Sequence, residues 1–188
     1  MPGSQQIRWP YSWPSAAVGS RRLTSSTIAR AFAFVARCSG AATCAYAAAV
    51  AAGLPHAVWA AISALIVSQE RLDDTTTSLT GRIAGTIIGA CIAVAVSVAA
   101  SRLAIGVALQ IAVAVAVCAT IARERPRLRV CMWTAPIVLL TTEPGMPISI
   151  EATYRASEVI LGALIGGAFH WAAEFLVHRL ARSRLPPR

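Results

Sequence analysis

The sequence predicts an all-α, polytopic membrane protein with six transmembrane helices arranged as two inverted three-helix repeats. Only 13% of its 188 residues are charged, against roughly 25% in ordinary soluble domains. The mean hydropathy is +0.62, and the apolar residues fall in long runs that are apolar all round, which suits lipid rather than a core with one wet face. All 17 basic residues are arginine, and they collect between alternate runs, as the positive-inside bias requires.

Residues 1–30 are rich in Pro, Ser and Arg and read as a disordered, basic cytoplasmic N-terminus. Thirty residues ahead of the first apolar run are too many for a usual signal peptide, so that run reads as a retained helix. A six-helix transmembrane domain is expected over 31–178, with apolar segments at 31–53, 57–70, 83–100, 103–122, 130–142 and 156–177. Gly53-Leu54-Pro55 closes the first segment, and Asp73-Asp74 with the Thr/Ser run 75–78 separates the second from the third. Ser101-Arg102 reads as a tight turn, 123–129 as a charged loop, and Glu143-Pro144-Gly145-Met146-Pro147 as a further turn. Residues 179–188 form a basic cytoplasmic tail.

Arginine sets the orientation. With both termini cytoplasmic, all 17 arginines except Arg102 and Arg155 lie on the inside. The +9 net charge is spread between hydrophobic runs rather than gathered on one face, which argues for lipid headgroups as its partner and against nucleic acid. Cys38, Cys44, Cys91, Cys118 and Cys131 lie in or beside apolar runs with no metal-ligand spacing, so they read as packing residues. No catalytic set, metal cluster or phosphate loop is present in the sequence. It therefore reads as no enzyme, with no metal and no cofactor.

The two halves repeat. Trp59 and Trp133 are 74 residues apart, Arg82 and Arg155 are 73 apart, and Gly89 matches Gly162. Three spans per half is an odd number, so the halves must be inserted in opposite senses, with Arg82 toward the cytoplasm and Arg155 toward the outside. The second and fifth segments are short, and the fifth contains Pro136. Short or interrupted segments at matching places in such repeats point to a binding site near the midplane; proline in a packed helix also produces a simple kink.

The stretches Leu54-Pro55-His56-Ala57-Val58-Trp59-Ala60, Ile66-Val67-Ser68-Gln69 and Arg82-Ile83-Ala84-Gly85-Thr86-Ile87-Ile88-Gly89-Ala90 resemble the membrane domain of the fusaric acid resistance family, grouped with the aromatic acid exporters. The resemblance implies a bacterial inner-membrane domain that moves organic anions outward, typically aromatic carboxylates. In that family a cytoplasmic domain or a second membrane copy often follows. The residues up to Arg188 hold neither, so the expected assembly is a homo-oligomer (dimer) or a pairing with a partner membrane subunit. A non-transporting structural or regulatory subunit is the alternative reading.

Arg82 and Arg155 each open a glycine-spaced apolar segment, where a guanidinium can anchor the helix end or bind a carboxylate bidentately beside free helix N–H groups. Glu158, three residues after Arg155, offers that arginine a partner instead. Arg37 lies inside the first segment, where an unpaired arginine costs about 2.5–3.5 kcal/mol unless it snorkels or faces a polar path. Thr86, Gln69 and Gln110 are candidates for polar contacts, and Trp59 for the interfacial belt or for substrate stacking. His170 shares a helix face with Glu174 and is a candidate for substrate contact or proton coupling. Gly81, Gly85 and Gly89, and Gly162 with Gly166, recur every fourth residue and give flat strips for helix packing.

Overall fold

The computed structural model describes residues 25–69 and 72–182. They contain α1 (Ser25–Ala51), α2 (Val58–Gln69), α3 (Leu72–Leu103), α4 (Val107–Glu124), a 3-10 turn (Pro126–Leu128), α5 (Cys131–Thr141) and α6 (Ile148–Arg182), and no strand among the described residues. The N-terminal segment read as disordered lies outside them up to residue 24, whereas 25–30 already belong to α1. Likewise 179–182 continue α6, and the rest of the tail is outside the described residues.

Length separates the helices into two kinds. Ala31–Ala51, Thr77–Leu103, Val107–Glu124 and Ile148–Leu176 are long and apolar enough to cross a membrane. With 12 and 11 residues, α2 and α5 rise only about 18 and 17 Å, short of a hydrocarbon core of about 30 Å. Pro136 lies inside α5.

Three boundaries differ from the sequence reading. α3 begins at Leu72 rather than 83, so the Asp/Thr/Ser stretch read as a loop is helical. In the same way α6 begins at Ile148 rather than 156. The turn expected at Ser101-Arg102 comes later, where Ala104 takes φ 52° and the Ile105 N–H bonds the Ala100 carbonyl at 3.1 Å. Gly53, at φ 69°, ends α1 in the corresponding way, its N–H bonding Val50 while that of Leu54 bonds Ala49.

The interior is built from small residues. Ala41, Ala45, Ala49, Ala57, Ala60 and Ala64 form one buried cluster, joining α1 to α2 with Leu161, Ile165 and Phe169 of α6 against it. A second cluster joins α3, α4 and α5 through Ala93, Ala114, Cys118, Cys131, Ala135 and Val138. Glycines let the backbones meet. A Cβ on Gly162 would run into the Ala60 carbonyl, and one on Gly166 would stand 2.5 Å from the Ala64 oxygen, so α6 lies directly on α2. A Cβ on Gly81 would stand 2.6 Å from the Arg127 oxygen, and one on Gly89 would stand 2.8 Å from Thr134 Cβ; Gly85 faces Val130 and Leu128 between them. α3 therefore lies on the 3-10 turn and α5. Packing is crosswise: the third helix meets the fifth, and the sixth meets the second.

Candidate functional site

With α2 clamped on α6 and α3 running along α6, the polar groups inside this seam converge on one short helix. Arg82 is the eleventh residue of α3 and is 6% exposed. Its Nε–H donates to Ser63 Oγ at 2.8 Å, and the Ser63 hydroxyl donates to the Val159 carbonyl at 2.7 Å. One relay thus ties α3 through α2 to α6. No carboxylate pairs with Arg82 among the described residues. One turn further along α3, Thr86 is wholly buried and its hydroxyl has no hydrogen-bond partner.

Arg155 enters the same seam from α6. It is 2% exposed, and its guanidinium carbon stands 4.2 Å from the centroid of the Trp59 ring. Trp59 and Ser63 are four apart on α2, so the two arginines reach successive turns of one helix face, on the order of 6 Å apart along its axis. Their surroundings differ. Arg155 has Glu151 Oε1 at 3.7 Å from Nη2 and Glu158 Oε2 at 3.7 Å from Nη1. Both glutamates are buried. The His56 backbone N–H donates to Glu158 Oε1 at 2.7 Å, and the Thr141 hydroxyl donates to Glu151 Oε1 at 2.6 Å. This cluster borders a cleft of about 390 Å³ lined by Gly53, Pro55, His56, Glu143, Met146, Glu151 and Tyr154. A second cleft of about 410 Å³ lies between α3 and the 3-10 turn, lined by residues that include Gly81, Ala84, Arg125 and Arg127. Arg82 lines neither.

These placements correct two expectations. Neither arginine sits at a helix N-terminus, because α3 and α6 start well before them; the first-turn N–H groups are therefore out of reach and add nothing to anion binding there. Nor does either guanidinium anchor a helix end, since both are buried between helices.

The remaining candidates are spread out. His170 is 2% exposed with both ring nitrogens lacking a hydrogen-bond partner, and Arg37, Glu174 and the Ser68 backbone lie within electrostatic reach of it. Arg37 of α1 stands 5.4 Å from the Phe34 ring, and its Nε is buried without a hydrogen bond. The structure thus brings Arg37 and His170 to one place and Arg82, Thr86, Arg155 and Trp59 to another. Gln110 donates to the Ile105 carbonyl at 2.8 Å, a local contact. Gln69 ends α2, and its side chain lies outside the described residues. Trp133 and Trp171 are about half exposed, unlike Trp59. Sequence reasoning missed Ser63, Glu151 and Thr141. Glu151 was findable, because Glu151, Arg155 and Glu158 stand at i−4, i and i+3 on one helix.

A family model described as fusaric acid resistance protein-like matches residues 43–169, which include α2 through α5 and most of α6. No curated protein and no solved structure matches the chain.

Proposed function

Because the chain belongs to the fusaric acid resistance protein-like family, a family of membrane transporter type, we propose that it exports small organic anions, aromatic carboxylates above all, across the bacterial inner membrane. The observation that carries this reading is Arg82: a buried guanidinium held by one serine, with no carboxylate paired to it among the described residues. A charge kept in a low-dielectric interior without a counter-ion is costly, and an arriving carboxylate relieves that cost. With Nε held by Ser63, the planar fork is oriented before the anion arrives. Thr86, on the same face of α3, adds a free hydroxyl beside it. Trp59 offers an aromatic wall next to Arg155. Arg37 and His170 form a further polar station along α6, with Gln69 at the end of α2.

The arginine distribution supports cytoplasmic termini. The crosswise packing, with α6 glycines on α2 and α3 glycines on α5, supports two inverted three-helix units. Contacts made through glycine and alanine leave few interlocking side chains, so one unit can rock against the other and expose Arg82 to each side in turn. A homo-oligomer, or a pairing with a partner membrane subunit, completes the proposal.

The test is benzoate flux in liposomes containing the purified protein. Arg82→Gln, inserted and purified like the wild type, should lower flux by about tenfold or more, since a charge-assisted contact is worth about 1.5–3 kcal/mol. Equal flux in the two proteins refutes the assignment, and constant co-purification with another protein and no flux favours the subunit reading.

A further inference from the structure

We infer that His56, Glu151 and Glu158 form a proton-binding site around Arg155, open to the cleft through His56, and that a proton held on Glu158 frees the Glu158 side of Arg155 for the carboxylate handled at Arg82. The second half of this inference rests on the proposed anion transport; the first half does not.

Charge and geometry lead there together. Two buried carboxylates face one buried guanidinium, so with a neutral imidazole the cluster carries one excess negative charge. Both ion pairs stand at 3.7 Å, and none of Nε, Nη1 and Nη2 of Arg155 has a hydrogen-bond partner. Directional bonds therefore do not lock the arginine. It is held by charge and by the face of Trp59. Glu158 Oε2 and His56 Nδ1 are likewise buried without hydrogen-bond partners. The His56 side chain as a whole is 38% exposed and lines the cleft, while Glu158 is sealed. His56 Nδ1 stands 3.8 Å from Glu158 Oε1 and 4.0 Å from Glu151 Oε1, about 1 Å longer than a typical N–H···O hydrogen bond. A small turn of the imidazole closes that gap.

The charged and titratable groups facing Glu158 come from several elements. Arg155 and Glu151 share its helix, and His56 comes from the turn before α2. Arg82 of α3 lies one turn of α2 away. Glu143 and Tyr154 line the adjoining cleft, and Thr141 of α5 bonds Glu151.

The proton passes from water in the cleft to His56 and on to Glu158, leaving the imidazole neutral again. Neutral Glu158 removes the excess negative charge and leaves Arg155 paired with Glu151 alone, so its Nη1 side can take an incoming carboxylate in place of the charge lost from Glu158. No covalent bond forms or breaks beyond the transfer of the proton. Proton and anion then favour each other's binding by the same factor.

The test starts without any anion. Infrared difference spectra of the full chain in nanodiscs, titrated with pH, should show the carbonyl stretch of a protonated buried carboxyl group. Glu158→Gln should lose that band, and Arg82→Gln should keep it. Absence of a titrating carboxyl band, or its persistence in Glu158→Gln, overturns the proton site. His56→Gln retains the backbone N–H that bonds Glu158 and so guards against misfolding as the cause of a loss; it should shift the titration midpoint, and an unmoved midpoint overturns the role of His56. Benzoate flux whose pH dependence is the same in wild type and Glu158→Gln overturns the coupling. An intact band together with no benzoate flux supports the proton site and sinks the anion reading, so the two failures are told apart.

Discussion

Arg82 and Arg155, from helices far apart in the chain, end on successive turns of α2: the first donates to Ser63 at 2.8 Å, and the second lies 4.2 Å from the Trp59 ring. Among the described residues, only the second is neutralised by nearby carboxylates. Two arginines at matching places in the sequence therefore differ in chemistry: one is short of an anion and the other is supplied with two.

The Arg82–Ser63 bond makes a graded prediction. Ser63→Ala keeps the charge but frees the fork, and should weaken benzoate binding about two- to tenfold, the worth of about 0.5–1.5 kcal/mol. Arg82→Lys keeps a charge yet cannot present a planar fork with Nε fixed, and should fall below Ser63→Ala. The concentration dependence of liposome flux ranks the three proteins.

The stacked pair predicts a stability difference between two tryptophans at matching places in the sequence. Trp59→Leu removes the ring that covers the Arg155 guanidinium and should cost about 1–2 kcal/mol. Trp133 is 48% exposed, and Trp133→Leu should change stability by less than about 0.5 kcal/mol. Thermal unfolding in one detergent compares them.

Neighbouring glycines on α6 should respond oppositely. A Cβ on Gly166 would stand 2.5 Å from the Ala64 carbonyl oxygen, a backbone atom, so Gly166→Ala must push α6 off α2. The expected cost is about 1–3 kcal/mol. A Cβ on Gly167 would meet only Leu79 and Val67, at 3.8 and 4.0 Å, which is ordinary contact. Gly167→Ala should therefore be neutral or slightly stabilising, as the loss of a flexible glycine from a helix favours folding. Chemical denaturation in mixed micelles reads both.

Ala104 holds a left-handed conformation, φ 52°, at the end of α3. For an alanine this costs about 1–2 kcal/mol, which glycine escapes. Ala104→Gly should raise the unfolding free energy by about 1 kcal/mol without altering flux.

Much of the fold was legible because lipid imposes a simple rule on sequence. Long apolar runs, charged breaks and the fourfold spacing of Gly162 and Gly166 are local patterns, and each corresponds to a helix or a close helix contact in the structure. The start of α3 was not legible. Asp, Thr and Ser between 73 and 78 carry turn-like propensities, and only the continuation of the helix past them shows that propensity lost. Arg82 consequently changed from a helix end to a helix interior, and its chemistry from dipole-assisted to desolvated.

The amino-acid sequence alone determined the membrane class, the family, the places of the short helices and the identities of the two arginines, because burial in lipid and backbone closeness are written residue by residue. Only the tertiary structure decided what each guanidinium touches. Ser63 reaches Arg82 across 19 positions and His56 reaches Glu158 across 102. Helical spacing cannot predict contacts of that range; they depend on which helix the glycine strips seat against.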